Sequence, residues 1–97
     1  MTPQRLSKQQ ALAVVRDLAN ASRGVVAVGH AKQRLKQRKI SMRQILICLR
    51  KGVITEGPAL NIRGNWQVNV TRTAAGEEVT CVVAIEWDRR LVVISAF

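Results

Sequence analysis

Residues 79–97 read VTCVVAIEWDRRLVVISAF, two runs of mostly β-branched and apolar residues on either side of a short polar turn. The first run, 79–87, is apolar on both alternating sides except at Thr80 and Glu86, and residues 91–97 have the same character. β-branched residues favour strands, and a strand that is apolar on both faces is covered on both faces. We therefore predict that these segments form two central strands of a sheet.

Three further strands are predicted upstream. Residues 66–71 alternate apolar with polar side chains, which indicates a strand with one face in water. Residues 53–60 are a weaker strand interrupted by Gly57 and Pro58, which favours a sheet edge. The short β-branched run at 25–28 is typical of a buried strand.

Two capping boxes mark helix starts. Ser7 is followed three residues later by Gln10, and Ser41 is followed in the same way by Gln44. In this motif each side chain bonds the other residue's backbone N–H, which stabilises the first helical turn. The spacing of apolar residues then predicts helices over about 8–21, over 30–39, and from Ser41 to Gly52.

The helix after Ser41 has an apolar stripe that predicts its buried face. Helical spacing indicates four core-facing residues, and Gly52 is expected to end the helix in the left-handed conformation. The predicted core-facing residues are Met42, Ile45, Leu46 and Leu49.

The order of these elements predicts the fold class. Helix, strand, helix, helix and then a meander of strands indicate an α+β domain, with a twisted antiparallel sheet of four to five strands and the helices mainly on one face. A chain of 97 residues is long enough for one hydrophobic core, so residues 1–97 are interpreted as a single domain.

The charge balance points to a polyanionic partner. Sixteen Lys and Arg against six Asp and Glu give a formal net charge of +10, which costs self-repulsion in the compact state. Nucleic acid is the commonest such partner, with RNA favoured over DNA; an acidic protein comes next, and a membrane surface is not expected. No secretory signal or membrane-spanning run is present, so we expect a cytoplasmic location.

Cofactor and metal sites are not predicted. Cys48 and Cys81 lack metal-ligand spacing and fall on apolar faces, so both are expected to be buried free thiols. With Trp66, Trp87 and Phe97 as the only aromatic residues, the chain has no base-stacking platform of the kind that single-strand binders use. Nucleic acid would be contacted mostly through its phosphates.

One segment carries most of the positive charge. Between Asp17 and Glu56 there are nine Lys and Arg and no acid, although like charges at helical spacing repel each other. This pattern predicts a surface for a polyanion. Its members are Arg23, Lys32, Arg34, Lys36, Arg38, Lys39, Arg43, Arg50 and Lys51, of which Lys32, Lys36, Lys39 and Arg43 are predicted to bind nucleic acid.

His30, Arg34 and Arg38 are predicted to form a catalytic row. A spacing of four places the three side chains along one helix face, where two guanidinium groups can clamp a phosphodiester beside an imidazole. Cleavage of RNA without metal needs one group to take the 2′-hydroxyl proton and another to protonate the leaving oxygen. The second group is left open among Glu56, Glu86, Asp88 and the basic side chains.

Residues 29–54, GHAKQRLKQRKISMRQILICLRKGVI, resemble the signature of a bacterial family known as domain of unknown function 4258. The matching positions are His30, Ala31, Arg34, Arg38, Ile40, Ser41, Leu49 and Gly52. The closing hairpin at 79–97 is also similar, so the resemblance covers about 24–97 and leaves the N-terminal helix, within 1–23, outside.

That family is in turn similar to the RelE- and ParE-type toxins of bacteria, small α+β proteins of which many cut RNA. The resemblance implies a RelE-like core over 24–97 and a ribonuclease-like toxin held by an acidic antitoxin. RelE-like nucleases tend to place catalytic basic residues late in the chain. The late basic residues here are Arg63, Arg72, Arg89 and Arg90.

Three functions are consistent with the sequence. The first is a toxin-like, metal-independent endoribonuclease that uses His30, Arg34 and Arg38. The second is a non-catalytic nucleic-acid-binding protein, whose second and third helices would imitate a helix-turn-helix. The third is an interaction protein whose basic face recognises an acidic partner.

Overall fold

A computed structural model describes residues 5–21, 24–74, 76–86 and 90–97 of the chain. It confirms the α+β class, with three helices and one five-stranded sheet. Arg23, Trp87, Asp88 and Arg89, which figured in the predictions, lie outside the described residues. The elements are α1 (Lys8–Asn20), β1 (Val25–Ala27), α2 (Gly29–Gln37), α3 (Met42–Lys51), β2 (Val53–Leu60), β3 (Trp66–Ala74), β4 (Glu77–Glu86) and β5 (Arg90–Ala96).

The sheet has the order β1-β5-β4-β3-β2. Strands β4 and β5 lie inside the sheet and β2 lies at an edge, as the sequence predicted. Strand β1, which was predicted to be buried, is instead the other edge strand and only half-buried, because it has a neighbouring strand on one side only. Strands β2 to β5 pair antiparallel, but β1 pairs parallel to β5, so the sheet is mixed rather than wholly antiparallel. The difference arises because β1 and β5 are not joined by a hairpin: the chain from β1 continues into α2 and α3 and reaches β5 only after the meander.

The helices α1 and α3 pack against one face of the sheet. This core face of the sheet carries alternate residues of the strands, all fully or almost fully buried: Val68, Val70, Cys81, Val83, Ile85, Leu91, Val93 and Ala96. Ala11, Val15, Leu18 and Ala19 of α1 belong to the same core. The other side of the sheet is called the open face below; it carries Gln67, Asn69, Thr71, Thr80, Val82, Ala84, Glu86, Val92 and Ser95.

Both predicted capping boxes are present. The Ser7 hydroxyl accepts a hydrogen bond from the Gln10 backbone N–H at 3.1 Å, and Ser41 accepts from Gln44 at the same distance. The two glutamine side chains accept the reciprocal bonds from the serine backbone N–H groups. Each cap stabilises its helix by about 1 kcal/mol.

Two arginines tie α1 to α3. Arg50 donates from Nε to the Ala19 carbonyl at 2.9 Å, and Arg16 donates from Nη2 to the Gly52 carbonyl at 3.3 Å. Each guanidinium therefore meets the negative C-terminal end of the neighbouring helix. Arg50 accordingly has a structural role in the segment that the sequence assigned to polyanion binding.

Two predictions for α3 are wrong in detail. Met42 is 38% exposed because it lies in the first turn of α3, at the open groove next to β1, and Leu46 is only partly buried. The buried residues of α3 are Ile45, Cys48 and Leu49. Gly52 is extended, with φ −77°, and is not left-handed. The left-handed residue is Lys39, with φ 58°, in the turn between α2 and α3.

Both cysteines are buried free thiols, as predicted. Cys48 donates from Sγ to the carbonyls of Val70 and Val79, at 3.3 and 3.4 Å. Burial raises the pKa of both thiols, most strongly that of Cys81. Since the thiolate is the reactive form, neither group is suited to nucleophilic chemistry. None of the described helices is long and apolar enough to cross a bilayer.

Candidate functional site

Helix α2 lies beside β5 at one edge of the sheet. It begins at Gly29, two residues after β1 ends, and it packs against β5. Ala31 and Leu35 are buried, and the remaining side chains of the helix are exposed. Arg34 donates from Nη1 to the Ser95 hydroxyl at 3.3 Å, which brings this side of α2 to the open face of the sheet.

His30 lines a cleft on the open face, and we call this cleft the His30 cleft. Its volume is about 340 Å³, and both charged and apolar side chains surround it. The polar residues are His30, Asn61, Arg63, Asn65, Gln67 and Glu86; the apolar residues are Val28, Ile62, Ala84, Val92 and Ile94.

Glu86 is the acidic residue that shares this cleft with His30. It ends β4, its side chain is 27% exposed, and it forms an ion pair with Arg90 of β5. Glu56 instead accepts a hydrogen bond from Asn69 at 3.0 Å and lines a different cleft near Gly57. Among the acids left open by the sequence, Glu86 is therefore the described residue that lines the same cleft as His30.

Arg63 reaches the cleft from the turn between β2 and β3. The Asn61 side-chain oxygen accepts the backbone N–H groups of Arg63 and Asn65, both at 3.0 Å, which holds the turn in shape. The sequence offered Arg63 only as one of several late basic residues. This turn lies at the same end of the sheet as Glu86, because Trp66, the first residue of β3 after the turn, pairs with Ile85, the residue before Glu86.

The predicted catalytic row is divided by the structure. Arg34 bonds Ser95 beside the cleft, whereas Arg38, two helical turns from His30, lines a separate cleft with Glu77 and Glu78. Those two carboxylates lower the positive potential at that end of α2. The geometry thus brings together His30, Glu86 and Arg63, with Arg34 next to them, and it leaves Arg38 apart.

The predicted nucleic-acid-binding residues are all exposed. Lys32 and Lys36 line an open groove next to β1. Leu35 and Ile40 line the same groove. Lys39 lies with Arg38 in the turn after α2, and Arg43 follows in the first turn of α3. The name basic surface is used below for Lys32, Arg34, Lys36, Arg38, Lys39 and Arg43.

The helix-turn-helix alternative requires that α3 have an exposed face, and it stays a prediction. Helix α3 contacts α1 on one side and strands β3 and β4 on the other. A recognition helix must present a free face to the major groove. Helix α3 carries three exposed cations, Arg43, Arg50 and Lys51. Among the described residues, no three His, Cys, Asp or Glu side chains lie close enough together to hold a metal ion.

The part of the chain that matches a known protein family includes almost all of this site. The family described as Domain of unknown function (DUF4258) matches residues 29–97. The chain belongs to the DUF4258 family. No curated protein matches the chain significantly.

The DUF4258 region begins at helix α2 and continues through β5. Every residue of the His30 cleft except Val28 lies within it. Helix α1 and strand β1 precede the DUF4258 region, although α1 supplies part of the core. The candidate site is thus built almost wholly from the family's own segment.

Proposed function

We propose that this protein is a metal-independent endoribonuclease, RelE-like in its core and of the toxin-antitoxin type. The observation that carries the proposal is the His30 cleft, which an imidazole, a carboxylate and a guanidinium all line. These are the groups needed to move two protons and to stabilise one phosphate, so the side chains can supply the chemistry without a metal.

In the proposed reaction, the 2′-oxygen of a ribose attacks the adjacent phosphorus. Glu86 takes the 2′-hydroxyl proton, and protonated His30 gives a proton to the departing 5′-oxygen. A bond from the 2′-oxygen to phosphorus forms, and the bond from phosphorus to the 5′-oxygen breaks, leaving a 2′,3′-cyclic phosphate and a free 5′-hydroxyl. Arg63 and Arg34 are assigned to the negative charge that develops on the phosphoryl oxygens.

RNA is the proposed substrate because this reaction requires a 2′-hydroxyl and because α2 carries exposed cations, with Arg34 beside the cleft and Lys32 and Lys36 along the groove next to β1. Lys32, Arg34 and Lys36 are exposed, and none of the described acids lies in an ion pair with them. The basic surface is also suited to an acidic antitoxin, which would block RNA by occupying the same charges. That partner follows from the RelE and ParE resemblance and from charge complementarity.

Binding of RNA is expected to weaken steeply with salt. Three phosphate contacts on a single strand correspond to a slope of about −2 in log K against log salt, and removing one contact changes the slope by about 0.7. We therefore expect Lys32→Gln to reduce the slope by about that amount. The measurement is fluorescence anisotropy with a 2′-O-methyl RNA, which cannot be cut. Lys8→Gln on α1 is the matched control. If the slope for Lys32→Gln equals that of the native protein, α2 is not part of the RNA interface.

The deciding experiment is to induce the protein in a bacterium and sequence RNA 5′ ends across the transcriptome. We expect new ends that carry a 5′-hydroxyl, and we expect His30→Ala to remove them because the leaving oxygen then lacks its proton donor. Gln33→Ala, an exposed change on the same helix, should leave the ends in place. Working in cells keeps any ribosome-dependent activity visible.

Ends that persist at normal levels in a folded His30→Ala protein would overturn the ribonuclease proposal. The second candidate, a non-catalytic nucleic-acid-binding protein, is favoured by the exposure of all six residues of the basic surface. It predicts no new ends together with the same salt-dependent binding.

A further inference from the structure

The His30 cleft has an apolar floor that proton transfer does not require. Ala84, Val92 and Ile94 line it from the two neighbouring strands β4 and β5, and Ala84 is only 4% exposed. A bulge in the β4–β5 pairing adds Ile94 to this stretch, between Val93 and Ser95. The result is a patch of aliphatic surface next to His30 on a sheet face that is otherwise polar except for Val82.

Ile62 lies over the same cleft from the turn between β2 and β3. Its side chain is fully exposed, at 103% of the reference area, although it is large and apolar. Neighbouring residues hold the turn in place, since Asn61 donates its backbone N–H to the Asn65 carbonyl at 2.8 Å and accepts two bonds through its side chain. An exposed isoleucine on a well-held turn, at the rim of a cleft with an apolar floor, leaves space for a flat apolar group against that floor.

Gln67 supplies polar recognition at the edge of this space. It lies on the open face of β3, next to Ala84 of β4 in the strand register. Its carboxamide makes no hydrogen bond to any other described residue, whereas Asn69, two residues along the same face, bonds Glu56. A free carboxamide presents one donor beside one acceptor, the pattern that matches the edge of a nucleobase.

We propose that the His30 cleft is a nucleobase site, in which one unstacked base of a single-stranded RNA inserts between Ile62 and the floor formed by Ala84, Val92 and Ile94, and Gln67 reads its edge. This inference rests on the proposed function for the identity of the ligand as RNA. It goes further by naming the part of RNA that is recognised and the side chain that confers base preference.

The size and chemistry of the cleft agree with that ligand. Its 340 Å³ lies in the lower part of the range of roughly 300–1,000 Å³ that is typical of small-molecule sites, and its lining is part apolar and part polar. A base in a duplex is stacked and paired, so only a single-stranded or extruded base can enter. The aliphatic floor replaces the aromatic platform that the composition of the chain lacks.

The test is an NMR titration of the protein with four 2′-O-methyl dinucleotides, ApA, CpC, GpG and UpU, which bind without being cut. We expect one of them to shift the Gln67 side-chain amide and the backbone amides of Ala84, Val92 and Ile94. Gln67→Ala should weaken that dinucleotide about 10-fold, since a good bidentate contact discriminates by about 1–3 kcal/mol. Thr73→Ala, on the same face of β3 but outside the cleft, should change nothing.

The outcomes separate this inference from the function on which it rests. Shifts outside the cleft, or equal affinity of the Gln67→Ala and native proteins for all four dinucleotides, would overturn the base site. If the native protein cuts RNA but none of the dinucleotides binds in the cleft, the ribonuclease proposal is supported and the base-site proposal is wrong. If the dinucleotides bind as expected while no RNA is cut, the base site stands and the ribonuclease fails.

Discussion

RNA cleavage by a Glu86→Gln protein is expected to be about 1,000-fold slower than cleavage by the native protein. General acid–base groups contribute about 10² to 10⁴ to a rate, and Gln has nearly the shape of Glu but cannot take the 2′-hydroxyl proton. The structure puts this carboxylate in the same cleft as His30. The measurement is the single-turnover rate of cutting a labelled RNA by the purified proteins.

Binding of RNA without cleavage distinguishes a proton-transfer role from a structural role. With Glu86 as the base, Glu86→Gln should bind an uncuttable 2′-O-methyl RNA as tightly as the native protein does, while it cuts a normal RNA more slowly. Loss of the exposed ion pair with Arg90 should cost less than about 1 kcal/mol of stability, so the variant should remain folded. Glu56→Gln, outside the cleft, is the control. A folded Glu86→Gln protein that cuts RNA at the native rate would exclude Glu86 from the mechanism.

A Gly52→Ala protein is expected to lose about 3 kcal/mol of unfolding free energy, at the upper end of the usual cost of overpacking. A Cβ at this position would lie 2.5 Å from the Cys48 carbonyl oxygen, 2.7 Å from the Thr71 carbonyl oxygen and 2.9 Å from a Val70 methyl. Two of these neighbours are backbone atoms that belong to α3 and β3, so neither can yield without moving a whole element. Urea unfolding followed by circular dichroism measures the change.

Gly29→Ala is the matched control for this prediction. No atom lies within 4 Å of a Cβ built at Gly29, which starts helix α2, so alanine should be neutral or slightly stabilising there. Equal stability of the Gly52→Ala and native proteins would contradict the close approach between α3 and β3.

Part of the candidate site could be predicted from the chain and part could not. His30 was identified because a lone histidine at a strand-to-helix junction, followed by arginines four and eight residues later, is a local pattern. Glu86 was one of three acids left open, and Arg63 was one of four late basic residues. Nothing near them in the sequence distinguishes them, because their meeting with His30 depends on pairing between strands that are far apart in the chain.

The same division applies to the catalytic row. Helical periodicity predicts His30, Arg34 and Arg38 on one side of a helix, but it says nothing about what each side chain meets, and α2 ends at Gln37, one residue before Arg38. Arg34 meets Ser95 of β5, and Arg38 shares a cleft with Glu77 and Glu78. These neighbours belong to strands that are distant from the helix in the sequence and contact it only in the folded protein.

By itself, the sequence determined the class of fold, the helix starts, the buried thiols and the identity of the central strands. All of these depend on interactions within a few residues or on burial, and hydrophobic periodicity and caps report both directly. Only the tertiary structure decided that β1 lies parallel to β5, that Gly52 is needed for close packing, and that Glu86 and Arg63 share a cleft with His30. These features depend on which distant segments pair and in which register, and the chain specifies that only through the packing of the whole core.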